Sequence, residues 1–261
     1  MVTVQTYIRA AVMMLAAVCL AACAASPPPP EPSPSVLRVG VCANSPPVIF
    51  REKDGSYAGF EAEMARSLAA SLGRSAAFVE CGWEDLIPAL VDNRIDIIMS
   101  GMTITESRSV RVSFTDAYMR SGQAALTTNR QALRFPGRTV LLSVPVRLGT
   151  EKGTVGEIVA RQYFPFAKNI AFKDPEKGVK AVLNGRADLF MHDAPVIWWY
   201  ASQYEAQGLT ALPFLITEEG IAWAVRKDDA ELLAGANRFI AAWHQNGRLK
   251  ELLSRWLPKM Q

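Results

Sequence analysis

Apolar positions along the chain change period several times, and the changes mark out elements. LRVGV, Leu37–Val41, is a short apolar run of strand length. From Phe60 the apolar residues Phe60, Met64, Leu68 and Leu72 recur every four positions. That spacing predicts a helix over 60–72 with one buried face, ended by Gly73. Ala76–Val79 predicts a second strand, Trp83–Asn93 a second helix and Ile95–Met99 a third strand. The pattern then restarts. Thr139–Ser143 is strand-like, Thr154–Tyr163 helical, Gly178–Leu183 a short helix stopped by Asn184-Gly185, and Ala187–Met191 another buried strand. Asp229–Trp256 reads as helices. Strands alternating with helices imply parallel sheets with right-handed crossovers, and two such units imply two α/β lobes.

The N-terminus follows a different rule. One basic residue, Arg9, precedes the almost wholly apolar Ala10–Ala22, and the run closes at Leu-Ala-Ala-Cys, Leu20–Cys23. The stretch is short for a bilayer span and has the parts of a secretory signal over 1–22. The ending looks like a bacterial lipobox, which makes Cys23 the lipidated first residue of the mature chain; an ordinary signal peptide or short anchor helix is the alternative. Ala24–Val36 holds six prolines in thirteen residues, so 23–36 reads as a tether without helix or sheet. As polyproline II it would reach on the order of 40 Å, at ~3.1 Å per residue. The folded part is therefore expected outside the cytoplasm.

Composition changes the picture mainly by exclusion. Half of the 261 residues are apolar and a fifth charged, as in a globular protein with a real core. The net charge is +3, without a basic stripe, so nucleic acid is not an expected partner. His192 and His244 are the only histidines and no cysteines have ligand spacing, so no metal or cofactor is expected. Cys42 and Cys81 remain after the leader and the lipid site. In an oxidising compartment they are a disulfide candidate; two buried free thiols are the alternative.

Three polar segments lie beyond strand ends, where α/β sheets bind ligands. SGMTITESR, Ser100–Arg108, offers Gly101 for close approach, hydroxyls at Thr103 and Thr105, and the Arg108 guanidinium, a fork suited to a carboxylate. GTEKGTVGE, Gly149–Glu157, is no phosphate loop, since Lys152 precedes Gly153; Thr154 opens a helix whose amides could receive an anion or simply caps a turn. ADLFMHDAP, Ala187–Pro195, places Asp193 at the cleft edge, where a carboxylate can accept from an ammonium group. A fork for a carboxylate and a carboxylate for an ammonium, on opposite lobes, describe an α-amino acid site.

LRVGV, DGSYAGFEAEMARSLAASLG, WEDLIPALVDNRIDIIMSGMTITESR, VSFTDAY, SGQAAL, KGTVGE, LNGRADLFMHD and EEGIAWAVRKDDAELL occur in that order. Over Leu37–Pro258 the chain thereby resembles the polar amino-acid-binding proteins of ABC transporters, the bacterial extracellular solute-binding family 3. The resemblance implies a two-lobed periplasmic-binding-protein fold with hinges at 118–122 and 216–219. Lobe one would be 37–117 plus 220–261, and lobe two 123–215. It implies that Arg108 binds the ligand α-carboxylate, helped by Thr103 and Thr154. The Gly101 carbonyl and Asp193 would take the α-ammonium, and Trp83 would line the side-chain pocket or sit in the core. The implied protein is a monomer, anchored in the membrane by lipid, that delivers a free amino acid to an ABC permease.

Departures bear on specificity. Where the family commonly shows Thr-Asp-x-x-Tyr/Phe-x-Pro-Phe, this chain has VCANSPPV, Val41–Val48. Cys42 replaces the acid, Ser45 the stacking aromatic and Val48 the phenylalanine. Glu151, where some glutamine binders carry lysine, would favour a cationic side chain or be a solvated loop acid, and the second is the expectation. Catalysis is not expected. A cyclohexadienyl dehydratase-like enzyme on the same fold is the alternative, with Glu80, Glu151 and Glu157 as acids by location only. A Ser-His-Asp arrangement is not read, because neighbouring His192 and Asp193 point opposite ways on extended chain. A ligand-sensing lipoprotein without transport is the third reading.

Overall fold

A computed structural model describes residues 35–257. The leader, the lipid site Cys23 and nearly all of the tether lie outside the described residues. The first strand, β1 (Ser35–Val41), begins two residues earlier than expected and takes in the end of the proline-rich segment.

Chain order then gives α1 (Phe60–Ser71), β2 (Arg74–Glu80), α2 (Leu86–Val91), β3 (Ile97–Ile98) and β4 (Ser113–Phe114). β1 pairs with β2 and β3 in parallel, as right-handed crossover units require. Phe60, Met64 and Leu68 of α1 are fully buried, so the four-residue period does mark the packed face. A small three-stranded antiparallel flap, with strands at Asn44–Ser45, Ile49–Arg51 and Tyr57–Ala58, follows β1.

The chain next passes through β5 (Met119–Ser121) into β6 (Gln123–Thr128), β7 (Arg147–Glu151), α3 (Val155–Tyr163), β8 (Lys168–Phe172) and α4 (Pro175–Leu183). β9 (Leu189–Asp193), α5 (Ala194–Gln203) and β10 (Leu209–Ala211) complete a sheet ordered β8-β7-β9-β6-β10. β11 (Glu219–Ile221) leads back to β12 (Ala224–Val225), which joins the first sheet, ordered β2-β1-β3-β12-β4. The helices α6 (Ala230–Gln245) and α7 (Arg248–Trp256) end the described chain.

The result is two α/β lobes joined by two segments, and those segments pair with each other as the antiparallel ladder β5–β11. The two crossings fit tightly at Gly122. A Cβ on Gly122 would collide with the Thr217 carbonyl, so only glycine lets the two segments lie this close. One expectation fails: Thr139–Ser143 lies in a helix, Arg138–Ser143, rather than a strand. Its only buried side chain is Leu141, so no second strand face is present to hold it in a sheet.

Candidate functional site

Arg108 is placed by local chemistry. Thr105 caps the short helix Glu106–Ser109, its hydroxyl accepting the Arg108 N–H at 3.3 Å. The guanidinium then turns back: Nη1 donates to the Thr103 carbonyl at 2.9 Å, and the group lies 5.3 Å from the centre of the Trp83 ring. Burial pulls this guanidinium below the usual arginine range, opposed by the nearby carboxylates of Asp193 and Glu219.

Those carboxylates come from lobe two and from the second connecting segment. Gln123 Nε2 donates to Asp193 Oδ1 at 2.6 Å and to Glu219 Oε2 at 3.3 Å. Glu219 also accepts the Thr103 hydroxyl at 3.0 Å and the Thr217 hydroxyl at 2.6 Å. Burial raises the pKa of Asp193, opposed by His192 but reinforced by Glu219. Arg108, Thr103 and Asp193 are thus brought to one place. Glu219 and Gln123, which sequence reasoning did not single out, join them there. Gln123 Oε1 is buried without a hydrogen-bond donor.

Beside this cluster stands a buried pair. Glu151 is 3% exposed; its Oε2 meets His192 Nε2 at 2.8 Å and its Oε1 accepts from Asn44 Nδ2 of lobe one at 3.1 Å. The reading of Glu151 as a solvated loop acid is therefore corrected: β7 carries it under the opposite lobe. His192 Nδ1 accepts the Asp193 N–H at 2.8 Å, which leaves the proton on Nε2 to face Glu151. Burial lowers the His192 pKa, but Glu151, Asp193 and Glu219 outweigh it and the net direction is upward. His192 and Asp193 do not diverge as expected. The strand ends at Asp193, and its Oδ2 comes within 3.8 Å of His192 Nδ1.

Three contacts bridge the lobes on this side: Asn44 to Glu151, Trp83 Nε1 to the Gly153 carbonyl at 2.9 Å, and Lys152 Nζ to Glu84 Oε2 at 2.9 Å. Trp83 is thus a cleft residue and not a core one. Gly153 holds φ +76°, a conformation that favours glycine, and so turns its carbonyl to the indole. A cavity of about 960 Å³ opens between the lobes, walled by Asn44, Cys42, Cys81, Trp83, Glu151 and Phe172 among others. Arg108 and Asp193 are not part of its wall.

Gly101 and Thr154 are also tied into the fold. The Gly101 N–H donates to Glu61 at 2.6 Å, and the Thr154 hydroxyl donates to the Glu151 carbonyl at 2.7 Å while its residue opens α3. Glu61 is fully buried, also accepts from Trp223 Nε1 at 3.1 Å, and burial pushes its pKa up to about 7. Cys42 and Cys81 do stand at the ends of paired strands, but as free thiols. Their sulfurs face different acceptors, Asn44 Oδ1 at 3.5 Å and the Val79 carbonyl at 3.8 Å, so the disulfide expectation is corrected. Burial pushes the Cys42 thiol up to about 12. Among the described residues no group of three or more metal-ligating side chains converges.

A family model for bacterial extracellular solute-binding proteins, family 3, matches residues 37–259. The chain belongs to that family. Within family 3 it is 29% identical to cyclohexadienyl dehydratase of Pseudomonas aeruginosa, covering 85% of this chain and 82% of that protein. It is 26% identical to the ABC transporter arginine-binding protein 1 of Escherichia coli, covering 85% and 91%. Among solved structures it is similar to an ancestral amino acid-binding protein described as a precursor of cyclohexadienyl dehydratase. That likeness has a TM-score of 0.77 and 34% identity over 85% of this chain and 95% of the other. The expectation that the chain is not an enzyme is overturned by these relatives: one is an enzyme and another its precursor, so membership of family 3 leaves catalysis open. The solute-binding role, by contrast, is the family's own, and an extracytoplasmic location follows from it.

Proposed function

We propose that the protein is a receptor, held at a bacterial membrane by lipid on Cys23, that closes on a free amino acid and delivers it to an ABC importer. Arg108 takes the α-carboxylate with Thr103 and the first amides of α3 beside it. Asp193, helped by the Gly101 carbonyl, takes the α-ammonium. Segments 118–122 and 216–219 act as hinges, and 37–117 with 220–261 moves against 123–215 as a rigid body. One observation carries this reading: Arg108 of lobe one rests on the Thr103 carbonyl and Asp193 of lobe two on the Gln123 amide, and among the described residues the two make no ion pair within 4.0 Å. A zwitterion set between them would satisfy both.

A second reading is favoured by the dehydratase relative, in which the same guanidinium would hold the carboxylate of a cyclohexadienyl acid. One experiment separates the two. The purified protein, unfolded and refolded to strip carried-over ligand, is titrated calorimetrically with the twenty amino acids beside Arg108→Ala. Micromolar or tighter binding that the variant loses supports the receptor. Absence of binding by well-folded protein sinks it, and turnover of a cyclohexadienyl acid by the same sample would establish the second reading.

A further inference from the structure

Charge in the cleft does not balance. Three carboxylates, Asp193, Glu219 and Glu151, face one guanidinium, Arg108, and one imidazole, His192. Even with the imidazole fully protonated, the acids outnumber the cations. Of the two lysines in the cavity wall, Lys152 is paired with Glu84, and Lys173 comes within 4.0 Å of no carboxylate among the described residues, Glu151 included. A zwitterion with a neutral side chain brings equal charges of both signs and leaves the excess untouched.

Glu151 carries the excess in the least tolerable form. It is buried, its partners are an amide and an imidazole, and among the described residues no lysine or arginine lies within 4.0 Å of it. A buried carboxylate in that position is stabilised far more by a cation than by neutral donors. It also walls the cavity of about 960 Å³, while the Arg108–Asp193 clamp lies outside that wall. Beyond the clamp there is therefore room for a side chain, and the indole of Trp83 lines the way for its aliphatic stem. A further observation points to missing donors in the same cluster. Gln123 is 1% exposed and its Oε1 is buried and unpartnered, while its Nε2 is held by Asp193 and Glu219.

We infer that the ligand is an amino acid whose side chain ends in a second cation, a guanidinium or an ammonium, and that Glu151 is the group that reads it. The inference rests on the clamp proposed above for the α-amino acid end. Its particular content is that side-chain charge is read from lobe two, by a residue whose other carboxylate oxygen is held by Asn44 of lobe one. Reading the side chain and closing the cleft are then one contact. Lobe one offers no replacement at the position of Cys42, a thiol that stays neutral at physiological pH.

The test compares arginine with citrulline, its neutral isostere, by calorimetry on the refolded protein and on Glu151→Gln. Arginine should bind the unaltered protein about tenfold to a hundredfold more tightly, the size of one buried charge-assisted hydrogen bond. In Glu151→Gln that ratio should collapse to about threefold or less, with citrulline affinity retained. Equal or tighter binding of citrulline by the unaltered protein overturns the inference and needs no variant that folds. A ratio preserved in Glu151→Gln overturns the role of Glu151. Tight binding of a neutral amino acid with no binding of arginine or lysine removes the cation while leaving the clamp. Failure of every α-amino acid removes the clamp itself.

Discussion

Thr103 and Glu219, 116 positions apart, meet at 3.0 Å where lobe one touches the second connecting segment. The same carboxylate accepts from Thr217 and Gln123, so one side chain gathers donors from both lobes and the second connection. Three neutral donors on one carboxylate make a network whose parts reinforce each other.

Coupling within that network should be measurable. Thr103→Val and Glu219→Gln should each weaken amino acid binding, and the double variant should lose less than the two losses added. A coupling of about 1 kcal/mol or more in a double-mutant cycle, read from ligand affinity, is the expected result. Additive losses would show that the two side chains act separately.

Trp83 joins recognition to closure, since its ring lies under Arg108 and its Nε1 bonds to Gly153 on the other lobe. Trp83→Phe keeps an aromatic face and removes the donor; Trp83→Ala removes both. Ligand affinity should fall by about tenfold in the first, one hydrogen bond across the closed cleft, and further in the second. Scattering measurements should find both variants more open than the parent at equal ligand saturation of the parent.

Glu61 sets a pH dependence of stability. Its folded pKa, about 7, lies above the ordinary carboxyl value of 4.5 because burial disfavours the charge. The native state therefore holds this proton more tightly than the unfolded chain. The contribution is complete below the unfolded value and is lost as pH rises through about 7. Its size is on the order of 3 kcal/mol. Urea unfolding at intervals from pH 4.5 to 7.5 should show that decline. Glu61→Gln should be less stable throughout, because its NH2 then faces one of the two N–H groups, of Gly101 or Trp223, that the carboxyl accepts from, yet flat over the same window.

Gly122 is the tightest point of the double connection, facing the Thr217 carbonyl. Gly122→Ala must push the two segments apart, at a cost of about 1–3 kcal/mol. A lowered Tm together with altered ligand affinity is expected. A variant with unchanged Tm would show that the crossing yields without strain.

Much of the fold was legible because it is written locally. The period of Phe60, Met64 and Leu68 and the stop at Gly73 act within a few residues and produced the expected helix. The same holds for the position of Arg108, which its own turn delivers to the cleft. The Thr105 cap, equally local, was not read from the sequence. Thr139–Ser143 shows the limit. Five residues of mixed polarity satisfy a strand pattern or a helix pattern, and only the sheet they failed to join decided between them.

By itself the sequence determined the two α/β units, the guanidinium at the end of a strand, and the carboxylate of Asp193 at the end of another. Tertiary structure alone decided what surrounds them. Glu151 became buried because Asn44, 107 positions away, closes over it, and Glu219 became a junction because two crossings of the chain pair side by side. Cys42 and Cys81 stayed free because adjacent strands turned their sulfurs to different acceptors. A capping hydroxyl or a helical period depends on neighbours in the chain. The charge balance of a cleft depends on which distant groups share its low-dielectric space, and that is settled only when both lobes are in place.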